Sequence, residues 1–236
     1  MSYFGWGEYV PVAKKREQAQ KLIAKLKKKN PNLSPVVIEG KKITTTWWGK
    51  AWCDNLTSYQ DYANRLPRGS AYVKNGYVVD LQINGGDITA KVNGSDLYDI
   101  KIKIDPLDEE KWAKIVKKVA NRIGSIAELA EGKFSQELAD VFMRKGDGLF
   151  PSPRQIHMDC DCPDWAGMCK HLAAVMYGVG NRLDSAPLLF FQMRGIDPSE
   201  LIKKSVDEKM ANLLKNSKKR SKRVIKDADI ERLFGI

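Results

Sequence analysis

Hydrophobic positions between residues 12 and 29 recur with helical spacing. Ala19, Leu22, Ile23 and Leu26 form one stripe on a helix that Pro11 can open, since a residue in the first turn has no intrahelical partner for its N–H. Past the loop at Pro31 and Pro35, Thr45 or Thr46 is placed to cap a second helix carrying Trp47, Trp48, Trp52 and Leu56, whose aromatics are expected in a core. From residue 71 to 104 the period falls to two. Tyr72 and the stretches 78–83, 88–92 and 98–104 are separated by Asn75-Gly76, Gly85-Gly86 and Asn93-Gly94. This predicts a four-stranded antiparallel meander with one polar face. Helical spacing returns over 108–123 and from a Ser135 cap to about Arg144, and GLFPSP at 148–153 breaks the chain. The apolar run 172–179 reads as a buried helix, and 187–193 and 197–214 also read as helical.

The fold class predicted is α+β, an antiparallel meander with helices followed by a mostly helical region. The stretches expected are 1–147, with a basic N-terminal helix and the sheet; 148–214, with a metal motif and helices; and 215–236, a basic linker and short C-terminal helix. No apolar run approaches the roughly 20 residues that cross a bilayer. The start MSYFGWGEYVPV lacks the basic and apolar regions of a secretory signal, so a cytoplasmic protein is expected, with nucleoid association left open.

Charge changes the picture through its location. The chain carries +11 overall; residues 12–29 contribute +7 and residues 215–226 another +7, which leaves −3 for the remainder. A polyanionic partner is suggested, and the two segments would hold its footprint. A solvated helix face is the plainer account of residues 12–29. In a reducing compartment the four cysteines are better read as thiols or metal ligands than as disulfides.

The chemistry concentrates at His157-Met-Asp-Cys160-Asp-Cys162-Pro-Asp-Trp-Ala-Gly-Met-Cys169-Lys-His171. Cys160, Cys162, Cys169 and His171 give three thiols and an imidazole within twelve residues, as CxCx6CxH. Tetrahedral Zn2+ takes such a set, and four protein ligands leave no open position for catalysis. Pro163 and Gly167 let the chain turn back, and the second ligand pair starts the apolar helix. A redox couple at Cys160 and Cys162, or an iron–sulfur centre, is the competing reading. His157 is an alternative to His171 as ligand, but it lies outside the compact pair at the helix start and is read as a surface residue or a support to the ligands. Trp165 is expected to pack against the metal site, with a partner anchor as its other reading. Cys53 has no ligand neighbour in sequence and reads as a buried, inert thiol.

The ligand pattern resembles the SWIM zinc finger, and the resemblance extends loosely over most of the chain through CPDWAGMCKHLAAVMYGVGNRLD, WWGKAWCDNL and YANRLPRG. It implies zinc binding and a role in contacting DNA or proteins, with a Swi/Snf-type ATPase as a partner. No DNA-contact residues come with it.

Two functions are therefore expected to compete. One is nonspecific nucleic-acid binding, DNA before RNA, in which Lys218, Lys219, Arg220, Lys222 and Arg223 matter most. The other is a pure protein-docking module, favoured by the acidic Asp159, Asp161 and Asp164 around the ligands. The chain has no GxxxxGK[ST], HExxH or GxSxG, and its two histidines both lie in the metal motif, so neither an enzyme nor a small-molecule substrate is expected.

Overall fold

The computed structural model describes residues 10–57, 64–119, 122, 123, 125–133 and 135–217. Three strands, β1 (Val78–Asn84), β2 (Asp87–Asn93) and β3 (Leu97–Ile104), form the meander, and β4 (Ile156–Cys160) adds to the free edge of β3. All pairings are antiparallel. Alternation sets the faces: Tyr98, Ile100, Ile102 and Ile104 of β3 are buried, while Leu97, Asp99, Lys101 and Lys103 are exposed.

The sheet is four-stranded and antiparallel as expected, but its first expected strand is a helix. Tyr72 lies in α3 (Leu66–Lys74), whose buried Leu66, Gly69 and Val73 recur every three to four residues. Pro67 sits in its first turn, and Gly76, at φ 73°, ends it in the left-handed conformation that glycine adopts without penalty. Asn75-Gly76 is thus a helix stop rather than a hairpin turn. The strand that takes the fourth place comes some fifty residues after β3, pairing Ile156 with Ile104, Met158 with Ile102 and Cys160 with Ile100.

The inner face of the sheet is covered by α7 (Lys170–Ser185), which touches all four strands. Every residue from His171 to Gly180 is buried, so this helix is apolar on all sides because it is surrounded on all sides. Helices α2 (Trp47–Thr57) and α3 pack on its outer side. They approach closely: a Cβ on Gly69 would stand 2.4 Å from Cβ of Ala173, and one on Gly49 would stand 2.7 Å from the Gly180 carbonyl oxygen. Trp48 and Trp52 are core residues, as expected. Their ring N–H groups donate to the carbonyls of Leu129 (3.0 Å) and Met176 (2.8 Å), and Trp48 packs among Phe142, Phe190 and Phe191.

The start of α2 is secured from α7. Asp184 accepts from the backbone N–H and hydroxyl of Thr45 (2.6 and 3.0 Å) and from those of Thr46 (3.1 and 2.6 Å). Asp184→Ala strands these donors at a half-buried interface. We expect a loss of roughly 2–3 kcal/mol, read as a melting temperature roughly 5–10 °C lower.

The remaining α-helices described are α1 (Val12–Lys29), α4 (Glu109–Val119), α5 (Ile126–Glu131), α6 (Gln136–Met143), α8 (Leu189–Met193) and α9 (Ser199–Ser217). Helix α5, which Ser125 caps by accepting from the Glu128 N–H, is short and was not marked by periodicity. The core runs without interruption from Ala19 through the sheet and α7 to Leu201. Residues after 148 therefore complete a sheet and core begun by residues before it. Among the described residues, no helix is long and apolar enough to cross a membrane.

Candidate metal centre

Two neighbouring elements deliver the four candidate ligands. Cys160 is the last residue of β4 and Cys162 follows in the loop, while Cys169 is the N-cap of α7 and His171 lies in its first turn. The three sulfur atoms and one imidazole nitrogen all lie within 4.8 Å of one another, and Cys160 Sγ is 3.9 Å from His171 Nδ1. A tetrahedral site with bonds of about 2.0–2.3 Å has ligand–ligand edges of about 3.3–3.8 Å, so the group is close to the size of a metal's first coordination sphere. The donor set fits a metal ion: three thiols and an imidazole converge with no carboxylate among them.

The histidine is placed by its neighbours. His171 is 1% exposed; its ring stacks on Tyr98 at 4.4 Å and meets the edge of Tyr72 at 5.4 Å. Gly94 leaves the space it needs, since a Cβ there would lie 2.9 Å from Nε2. Burial, with Lys170 beside it, lowers the imidazole pKa to about 4, so the ring is neutral at pH 7, the form that ligates. Burial pushes the Cys160 and Cys169 thiols up, against the Leu172 N–H, which donates to Cys169 Sγ at 3.4 Å. The thiols are thus held in their protonated form, and a bound metal would reverse that preference by favouring the thiolates.

Tyr98, Tyr72 and Gly94 were not singled out as parts of the site. Asn93-Gly94 signalled only a turn, and nothing local to it points at a histidine far along the chain. His157 stands apart from the ligands, exposed on the outer sheet face, with Nε2 2.9 Å from Asp105. Cys53 is also separate, and burial pushes its thiol up to about 12, which makes it inert.

The expectation that Trp165 packs against the metal site is not met: it is 98% exposed. The loop runs between the candidate ligands Cys162 and Cys169, and Asp164 fixes it between them by accepting from Arg65 (3.2 Å) and the Ala166 N–H (3.3 Å). Met168, fully buried, takes the inward position, and Trp165 is left outside. Asp161 is also engaged, accepting from the Asp99 N–H at 3.0 Å.

Of the two basic segments, only α1 falls among the described residues with its side chains. Its lysines are exposed, Ala19 is buried, and Leu22, Ile23 and Leu26 are half-buried. Arg16 ties the helix down by donating to Asn75 Oδ1 and the Lys74 carbonyl, both at 3.1 Å. Lys218, Lys219, Arg220, Lys222 and Arg223 lie outside the described residues. The exposed sheet face alternates in charge: Lys91 bridges Asp99, and Lys101 and Lys103 stand opposite Asp159 and Asp87 in register.

Over 163 residues, 68% of its length, the chain is 35% identical to a protein of Mycobacterium tuberculosis described as "Uncharacterized protein Rv2102". The match spans 58% of that protein. No family model matches the chain, and no solved structure matches it.

Proposed function

We propose that the chain is a zinc-binding accessory protein of the SWIM finger kind that binds nucleic acid without reading its sequence. Zn2+ held by Cys160, Cys162, Cys169 and His171 would link the end of β4 to the start of α7, and a filled four-ligand shell has a structural role. The observation that carries nucleic-acid binding is α1: Lys14, Lys15, Lys21, Lys25, Lys27, Lys28 and Lys29 project from one helix, with Glu17 the acid among them, paired to Lys21 at 2.7 Å. A rod of cations fastened to the core through Ala19 and Arg16 can follow a phosphate backbone. The neutralised sheet face supplies no comparable surface, so α1 and the segment from Lys218 to Arg223 would share the contacts, with DNA preferred as partner.

Fluorescence anisotropy with labelled single- and double-stranded DNA and RNA across a salt series tests this reading. Binding should weaken steeply as salt rises, because each phosphate contact contributes about 0.9 to the slope of log K against log salt on duplex DNA. Lys25→Glu with Lys28→Glu should flatten that slope by roughly two and weaken binding to every sequence alike. No binding at low salt would overturn it.

A second reading, docking to a DNA-acting ATPase of the Swi/Snf type, draws support from Trp165. An almost fully exposed indole on a loop held at both ends is a suitable anchor for a protein partner. The two readings are compatible, since they use different surfaces.

A further inference from the structure

Between α4 and the end of α6 lies a cavity of about 140 Å³ that no candidate metal ligand lines. Lys111, Lys114 and Lys118 of α4 line it together with Arg144, and Asp147 is the one acid among its lining residues. Spacings of three and four place the lysines on one side of the helix. Lys114, Lys118 and Arg144 are exposed, and among the described residues none of the three forms an ion pair. Lys111 is half-buried and held in place: its Nζ donates to the Gly146 carbonyl at 2.8 Å, which leaves two further N–H donors.

The helix macrodipole accounts for Lys118 and Arg144, which lie at the C-terminal ends of their helices. It does not account for Lys114, nor for Lys111 in the first turn, where a cation is unfavourable. Lysines three and four apart also repel one another. Four cations thus gather around one carboxylate, beside the apolar side chains of Ile115 and Val141, and a bound anion would relieve the repulsion. Summed along the chain this charge is hidden, because Glu109 and Glu110 offset it in sequence without lining the cavity.

We propose that Lys111, Lys114, Lys118 and Arg144 form a phosphate-binding site, and that its phosphates are those of a nucleic-acid backbone. From Lys111 to Lys118 is about 10 Å of helix, and a DNA strand presents a phosphate about every 3.4 Å of duplex axis, so the row suits a chain of phosphates better than a single one. The planar guanidinium of Arg144, able to donate two parallel hydrogen bonds, would orient one of them. The assignment to nucleic acid rests on the proposed function, whereas the phosphate site does not.

Salt titrations of the full-length, zinc-loaded protein against a labelled DNA duplex test the assignment. Lys114→Gln/Lys118→Gln removes two exposed cations and should lower the slope of log K against log salt by roughly two. The affinity lost between about 50 and 200 mM salt should then be roughly tenfold smaller than in the wild type. Lys101→Gln/Lys103→Gln removes the same charge from the sheet face, where acids stand opposite in register, and should leave the slope unchanged. Inorganic tripolyphosphate tests the site itself: it should shift the backbone amide resonances of residues 111–118 and 144–147, and the shifts should vanish in Lys114→Gln/Lys118→Gln. Equal slopes in the wild type and the α4 variant, or an equal drop in the sheet variant, would overturn the nucleic-acid assignment and leave a site for free phosphate. No duplex binding at low salt would overturn the proposed function and the assignment with it. Absence of localised tripolyphosphate shifts would overturn the site.

Discussion

Cys162→Ser is expected to abolish the proposed metal binding and melt the connection between β4 and α7. Serine keeps the size of the side chain but supplies no thiolate, and three remaining donors do not close a tetrahedral shell. The energy at stake is large, since structural zinc in finger peptides contributes roughly 10–16 kcal/mol. The damage should be uneven. Strand β4 is an edge strand with a single pairing partner, and much of the 161–168 loop is exposed, whereas α7 beyond His171 is buried between the sheet and two helices. Hydrogen exchange should accelerate over 156–169 while residues 175–183 stay protected. The melting temperature should fall by roughly 10 °C or more, since a loss of 1 kcal/mol costs about 2–4 °C in a chain of this size. Metal analysis should drop from about one equivalent per chain to near zero. A variant that keeps its metal and its melting curve would refute the ligand assignment.

Acid should act in the same direction. The ligating forms are thiolates and neutral imidazole, so protons compete with the metal and its affinity falls as pH falls. The thiols carry most of this competition. His171, with its pKa lowered to about 4 by burial, adds to it only at the acid end. Metal release followed with a chromogenic chelator from pH 8 to pH 4 should rise monotonically toward acid. Release that increased toward alkaline pH would contradict thiolate ligation.

The second large effect is expected at Gly69, far from any metal ligand in sequence. At the α3–α7 crossing its missing side chain lets the two backbones meet. An added Cβ would lie 2.8 Å from both the Ala173 carbonyl carbon and the Ala174 nitrogen, as well as 2.4 Å from the Ala173 methyl. Backbone cannot rotate away as a side chain can, so Gly69→Val must force α3 off α7. Overpacking alone costs about 1–3 kcal/mol, and separating two buried helix faces adds to it. We expect a loss of about 3 kcal/mol or more, measured by urea denaturation, and only partial rescue by Ala173→Gly, which removes the methyl but not the backbone contacts. Wild-type stability in Gly69→Val would mean that the helices do not approach as described. Because α3 carries Tyr72 against His171, the substitution should also weaken metal retention, linking packing to the site.

These two expectations differ in how visible they were. The ligand set could be read directly, because four donors lie within twelve residues and a tetrahedral metal needs a tight turn between its ligand pairs. Nothing in the sequence around Gly69 distinguishes it from a turn glycine, because its partner on α7 is about a hundred residues away. Tyr72 shows the limit of periodicity: its alternating neighbours suggested a strand, and tertiary packing of Leu66, Gly69 and Val73 on α7 made a helix. The three hairpin-linked strands were legible because their alternation and turn residues are local. The fourth was not, because Ile156–Cys160 is five residues long and becomes a strand only by meeting the edge of β3.

By itself, then, the sequence determined the α+β class, the hairpins, the main helices, the compact Cys3His set and the two basic segments, all of which depend on interactions among near neighbours. Only the tertiary structure decided that the metal motif completes the sheet, that Tyr98, Tyr72 and Gly94 seat His171, and that Trp165 points outward. Each of these is fixed by contacts between residues distant along the chain, through which faces the apolar side chains bury together, and a local pattern carries no record of that choice.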